Sequence, residues 1–381
     1  MPASRLDPYS IPFDRGSMVR DLRSWVECES PSWDAAAVNR MADLVSLRLA
    51  LLGANVTRIP GREGFGDCIR ATFAHPELEK PGILILGHLD TVHPLGTILA
   101  FPWREENGLC FGPGVLDMKS GILVALEALA GLQRVRWQTS LPLTVILTSD
   151  EEVGSPSTRA LIEAEAIRHC YVLVPEPARR NGGVVTGRHA VSRFDLETSG
   201  TPSHAGLNLK DGRSAILEMA KQILAVEAMS GQGSTFSVGV VQGGSWVNCV
   251  SRYCKAEVLV VSESELDRLH AHERLSALRP HSPGTDVTVT PRSVRPIWSP
   301  SEAGHLLYEA ATHVARELEL DLPAQRAGGG SDANFTGAMG IATLDGLGAR
   351  GDGAHTLQEH VVAASLEERS RLFAGLLASL C

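Results

Sequence analysis

Three short, almost wholly apolar runs, each followed within three residues by a histidine or an acidic residue, constrain this chain more than any other feature. Ile83-Leu84-Ile85-Leu86 leads into Gly87-His88-Leu89-Asp90, Leu143 to Leu147 into Ser149-Asp150-Glu151-Glu152, and Tyr171 to Val174 into Pro175-Glu176-Pro177. Runs of this kind, lacking polar alternation, read as strands buried on both faces. Helical spacing over Asp34 to Leu52 precedes the first run, and over Met118 to Leu132 separates the first from the second. The alternation predicts an α/β fold with a mostly parallel sheet flanked by helices. In such sheets ligands bind beyond the carboxyl ends of the strands, so the three clusters are expected to converge there.

At 381 residues the chain exceeds one small core, and two domains are expected. The middle changes rhythm. Val191 to Thr198, Thr235 to Val241, Tyr253 to Val261 and Asp286 to Thr290 read as strands, with helices at Asp211 to Met229 and Ser264 to Leu278. Strand-helix-strand-strand-helix-strand is the order of a ferredoxin-like α+β unit. The expected division is a discontinuous catalytic domain, 1–187 and 297–381, interrupted by an inserted domain, 188–296. Helical segments at Pro300 to Leu318 and Leu366 to Leu380 complete the first.

A net charge of −9 with dispersed Lys and Arg argues against a nucleic-acid partner, which needs concentrated basic surface. Arg179-Arg180 reads as a solvated loop pair. The opening, Met1 to Met18, lacks the apolar core of a signal peptide. Glu127 interrupts the longest apolar stretch, Gly121 to Leu132, so no membrane span is expected and the cytoplasm is the expected compartment. Seven irregularly spaced cysteines argue against a disulfide framework; most read as buried small hydrophobes.

Two further clusters, Gly114-Val115-Leu116-Asp117-Met118-Lys119 and Gly353-Ala354-His355-Thr356, complete a metal-ligand inventory. Imidazole nitrogen and carboxylate oxygen hold zinc, and paired sites share a bridging carboxylate and water. Asp117, in a turn after Gly114, suits the bridge; His88 with Glu176 would hold one ion, and Glu152 with His355 the other. Asp90 can accept the second ring N–H of His88 or hold the ring's approach, and Glu151 can take a proton from water and return it to a leaving amine. Singly, each residue has a plainer reading: a hydrogen-bonded histidine, a solvated acidic loop, an Asp N-cap. Five such coincidences in this order are a poor explanation. Ser203 beside His204 lacks the setting of a nucleophile elbow, and Gly328-Gly329-Gly330-Ser331-Asp332 lacks the lysine of a phosphate loop and follows no clear strand. The glycine run reads as a loop that brings backbone close to the active site.

With these motifs the chain resembles the metallopeptidase superfamily of aminoacylases, glutamate carboxypeptidases, acetylornithine deacetylases and succinyl-diaminopimelate desuccinylases. The resemblance rests on His88-x-Asp90, Gly114-x-x-Asp117-Met118-Lys119, Glu151-Glu152, Glu176-Pro177 and Gly353-x-His355. It implies the ligand and base roles just described, a zinc-peptidase-like fold, and a lid that also dimerises. Ser203-His204-Ala205-Gly206 matches the family's lid motif, whose histidine polarises the scissile carbonyl in a partner subunit's site. Asn248 and the Gly329 to Ala333 stretch, Gly330 included, look like residues that shape the substrate site. Members that cleave C-terminal glutamate carry a lid arginine, and Ala256 to Ser262 offers none. Arg295 is either a carboxylate partner or an exposed boundary residue.

The expected function is amide hydrolysis of a small N-acyl amino acid or dipeptide with two divalent ions, zinc or alternatively manganese or cobalt, in a homodimer. The alternatives are hydrolysis of a carbon–nitrogen bond in a non-peptide compound, and a non-catalytic metal-binding dimer.

Overall fold

A computed structural model describes residues 6–231 and 233–381. Residues 1–5, with which the opening segment considered above begins, and Gln232 lie outside the described residues. The chain forms two compact units. The larger takes in the chain through Gly187, Ser299–Arg326 and Ser331–Cys381; the smaller comprises Arg188–Trp298 and Ala327–Gly330. The sequence predicts 327–330 as part of the larger unit, whereas the fold groups them with the smaller.

In the larger unit the three apolar runs are adjacent central strands. Gly82–His88 lies between Leu143–Thr148 and His169–Leu173, parallel to both, and every residue of it is buried. Ile83 pairs with Leu143 and His88 with Thr148, so these strands end level and carry their acidic sequels to one edge. Ala342–Leu344 extends the parallel part beyond His169–Leu173. On the other side Cys68–Thr72 and Asn55–Ile59 add an antiparallel pair that the sequence reading lacked. Asn55–Ile59 is exposed or half-buried at the sheet margin, and Cys68–Thr72 mixes buried Cys68, Ile69 and Ala71 with the half-buried Arg70 and Thr72, so no continuous apolar run announced them.

The helix Ser120–Arg134 crosses the sheet with Ser120 through Leu132 all buried. Its one acid, Glu127, is neutralised by Arg48 and by Arg134 at 2.9 Å. Gly121 permits a close approach: a Cβ there would stand 1.7 Å from the Pro175 carbonyl oxygen, just before Glu176. A four-stranded sheet of two- and three-residue strands, including Leu109–Phe111 and His360–Val362, flanks the turn that carries Asp117.

The smaller unit follows the predicted element order. Its antiparallel sheet runs Ser234–Gly243, Tyr253–Ser262, Ala190–Ser199, Asp286–Arg295, the ferredoxin-like arrangement. Alternate residues of Tyr253–Ser262, namely Cys254, Ala256, Val258 and Val260, enter a core with Met219 and Leu275 of the two helices Ala215–Glu227 and Glu265–Ser276. Asp286–Arg295 continues beyond the expected end at Thr290. It is an edge strand with a register shift after Pro291, the setting in which a strand tolerates proline.

Two sequence readings need correction. Cys68, Cys110 and Cys254 are buried, Cys28 and Cys170 partly so, and Cys249 and Cys381 exposed, so buried cysteines are not the majority. The glycine run does follow a strand, Ala324–Ala327. No helix among the described residues is long and apolar enough to cross a membrane.

Candidate metal centre

Asp117 sits where the chain leaves Gly114, which has φ +68, and enters the helix that starts at Ser120. Its own φ and ψ, −113 and 102, are non-helical and it caps nothing, so the N-cap reading is set aside. Its two carboxylate oxygens face different histidines: Oδ1 lies 3.2 Å from His88 Nε2, and Oδ2 lies 3.3 Å from His355 Nε2. Glu176 Oε1 stands 3.7 Å from His88 Nε2, Glu152 Oε2 stands 3.2 Å from His355 Nε2, and Glu151 Oε2 is 3.9 Å from His88 Nε2. The sequence clusters that end three strands, one turn and one late loop thus meet in one place.

His355 reaches the cluster from a backbone in the left-handed region, φ +65, after Gly353 at φ +76. A non-glycine residue costs roughly 1–2 kcal/mol there. The conformation turns the ring toward Asp117 and Glu152.

Hydrogen bonds set the orientation of His88. Its Nδ1 donates to the Asp90 carbonyl oxygen at 2.9 Å, whereas the Asp90 carboxylate is 3.4 Å away. The contact with the His88 ring expected of Asp90 is therefore made by its main chain. The carboxylate has other partners. Oδ1 accepts from the Glu151 N–H at 3.2 Å, and Oδ2 accepts from the Glu152 N–H at 3.2 Å and the Ser32 hydroxyl at 2.6 Å. Asp90 ties the strand end carrying His88 to the glutamate pair.

Charge is out of balance among these clustered groups, which are buried or partly buried except for the half-exposed His355. Burial and the charge of Asp117 push Glu152 up to about 8, and the same two causes raise Glu176 well above the usual carboxylate range. Burial opposes ionisation of Asp117 too, yet its bonds to His355 and His88 outweigh burial and hold it low. Contacts with Asp117 and Glu152 raise His355 to about 11. Burial disfavours a charged His88, but Asp117 and Asp90 overcome it and lift the ring well above its ordinary value.

The cluster therefore calls for positive charge, either as protons or as a cation. One oxygen or nitrogen from each of His88, Asp117 and Glu152 lies within 4.8 Å of the others, as ligands of one ion or a close pair must. With Nδ1 of His88 committed as a donor, the neutral ring offers Nε2 as a lone pair toward oxygens that also offer only lone pairs. The donor set fits divalent metal.

Residues 84–379 match the Peptidase family M20/M25/M40. The chain belongs to this family. Carboxypeptidase G2 from Pseudomonas sp. (strain RS-16) is 26% identical over 376 residues, 96% of this chain and 90% of that protein. A succinyl-diaminopimelate desuccinylase from Alkalilimnicola ehrlichii is 27% identical over 368 residues, 88% of this chain and 92% of its own. The fold is shared with the dipeptidase Dug1p from Saccharomyces cerevisiae, at TM-score 0.77 and 14% identity, covering 98% of this chain and 97% of that one. As an M20 family protein the chain is a metal-dependent hydrolase.

The remaining predicted residues of this M20 chain lie in the smaller unit. His204 is exposed and adjoins Asn248, whose carbonyl accepts from the Ala205 N–H at 2.9 Å. Gly330 is packed closely enough on Arg295 that a Cβ would meet its Cδ at 2.6 Å. Arg295 is only 4% exposed, which removes the reading of it as an exposed boundary residue. Arg179 and Arg180 are exposed as expected, but they also line a cavity of about 530 Å³ with Leu116 and Ala354, the neighbours of Asp117 and His355. Sequence reasoning missed Ser32, His93 and Glu359, all buried around the cluster. Only the acid four residues past His355 could have drawn notice to Glu359.

Proposed function

We propose that the protein is a dinuclear hydrolase that cleaves the amide bond of a small N-acyl amino acid or dipeptide. The observation that carries this reading is the two-sided approach to Asp117, with His88 on one carboxylate oxygen and His355 on the other. Asp117 would then be shared by the two ions, with His88 and Glu176 holding one and Glu152 and His355 holding the other. Zinc suits this mixture of imidazole and carboxylate, and manganese or cobalt can replace it. When bound, such ions acidify water toward neutrality and polarise an amide carbonyl.

The chain's own groups do the rest. Glu151, buried and anchored through its N–H to Asp90, takes a proton from the attacking water and delivers it to the leaving nitrogen. His88 stays oriented because its Nδ1 is engaged. In the smaller unit, His204 Nδ1 accepts from the N–H groups of Gly206 and Leu207 at 3.2 Å each, which leaves the ring proton on Nε2. That N–H is suited to donate to a carbonyl oxygen as negative charge builds on it.

In this reading the smaller unit is a lid that dimerises, and His204 serves the partner subunit's site. Support comes from the edge strand Ser234–Gly243, with exposed Val240 and Val241, and from exposed Leu217 and Leu224 on the helix Ala215–Glu227. Seven cysteines without a disulfide agree with a reducing cytoplasm.

The test is hydrolysis by the purified protein, chelated and then resupplied with zinc, manganese or cobalt, across N-acyl amino acids, dipeptides and non-peptide amides. Metal-dependent release of an amino acid supports the proposal. Turnover confined to non-peptide compounds replaces it with the other carbon–nitrogen reading.

A further inference from the structure

The loop that brings in His355 continues to Glu359, an acid that neither binds metal nor handles protons in the scheme above. It is 1% exposed. Its Oε1 accepts from the backbone N–H groups of Leu116 at 2.8 Å and Asp117 at 3.0 Å. Its Oε2 accepts from the Gly114 N–H at 2.9 Å and from Nε2 of His93, also buried, at 2.9 Å.

The turn from Gly114 to Asp117 needs such an acceptor. Gly114 is left-handed and Asp117 extended, so this stretch makes no regular ladder, and its buried N–H groups would each cost about 1–3 kcal/mol if unpaired. One ionised carboxylate answers three of them with charge-assisted bonds, the stronger kind. It also links three stretches that bear proposed ligands: His88 to His93, Gly114 to Asp117, and His355 to Glu359. Gly112 reinforces the link, donating its N–H to the Glu359 carbonyl at 3.4 Å.

We propose that Glu359 is a positioning residue that fixes where Asp117 stands between His88 and His355, and so sets the geometry of the paired ions. This rests on the reading of Asp117 as their shared ligand. Glu359 acts through the backbone of Asp117 rather than on substrate. A glutamine has the same size, but its amide presents N–H toward an N–H donor, so at least one bond is lost and the turn loosens. His93 donates the link to the strand end that carries His88.

The experiment is cobalt loading of the full-length wild-type, Glu359→Gln and His93→Leu proteins, read by bound cobalt per chain and by the visible absorption of Co(II). Folding is checked by circular dichroism. The expected result is two ions in wild type. In folded Glu359→Gln, affinity for at least one ion should fall ~10–100-fold, the usual range for loss of a ligand-supporting contact, with an altered Co(II) spectrum. Restoring the carboxylate as Glu359→Asp should recover part of both. A folded Glu359→Gln protein with wild-type affinities and spectrum overturns the proposal. If that variant does not fold, His93→Leu decides: a weakened, spectrally altered site supports the role, and an unchanged one overturns it. Wild type that takes up a single ion fails earlier, and overturns the paired-ion reading itself.

Discussion

Asp90 and Glu151 lie 61 residues apart in sequence, yet the Asp90 carboxylate accepts the Glu151 N–H at 3.2 Å. With the companion bond to the Glu152 N–H, this fastens the proposed base and a proposed ligand to the strand end that carries His88. Asp90→Asn keeps the side chain's size but turns an amide N–H toward these donors. It is expected to lower kcat/KM and metal affinity by ~10–100-fold each, measured by steady-state kinetics and competition with a chelator. Loss of activity without any change in metal affinity would confine Asp90 to holding Glu151.

Glu151→Gln separates chemistry from binding. A general base contributes ~10²–10⁴-fold, so kcat should fall by that range while KM and the bound metal content stay near wild type. Metal content measured on the same preparation checks it, and retained turnover removes Glu151 from the proton-transfer role.

In the smaller unit Glu218 supplies a pH dependence of stability. Burial works against its charge, but the His281 N–H, the Gln222 amide and Ser282 outweigh burial and hold it down to about 2. A depressed folded pKa stabilises the fold fully above the unfolded value of 4.5, and that contribution is lost as pH falls from about 4.5 toward 2. Glu218→Gln is expected to destabilise by about 1–3 kcal/mol at pH 7. The difference from wild type, read by urea unfolding, should shrink steadily below pH 4.5; a constant difference down to pH 2.5 would contradict the assignment.

The lid reading predicts a dimer that depends on Val241 and Leu224, both exposed in the isolated chain. The double variant Val241→Lys, Leu224→Glu should sediment as a monomer, because charge on an edge strand opposes pairing. Its kcat should fall as His204→Ala does in the dimer. A monomeric variant with full activity would show that His204 is not supplied across an interface.

The apolar runs made the central strands legible because neighbours such as Leu84 and Ile85, which point to opposite faces of the sheet, are both buried, and only such strands lack alternation. His88, Asp117, Glu152, Glu176 and His355 were legible for a related reason: metal ligands need particular side chains, and few other types serve. The supporting groups were not. Ser32 meets Asp90 across 58 positions and His93 meets Glu359 across 266, and nothing local to a serine or histidine foretells such a partner. The burial of Arg295 was hidden for the same reason, since a basic residue near a domain boundary looks exposed until its surroundings are folded. Strands as short as Gly351–Asp352 carry no period to detect.

The most direct measurement is the number of zinc ions bound per chain, by elemental mass spectrometry on protein equilibrated with excess zinc and desalted, for wild type and His355→Ala. Two ions in wild type, and one retained when His355 is removed, is the predicted result. A wild-type protein that holds one ion or none would contradict the shared role of Asp117, and with it the hydrolytic site as described.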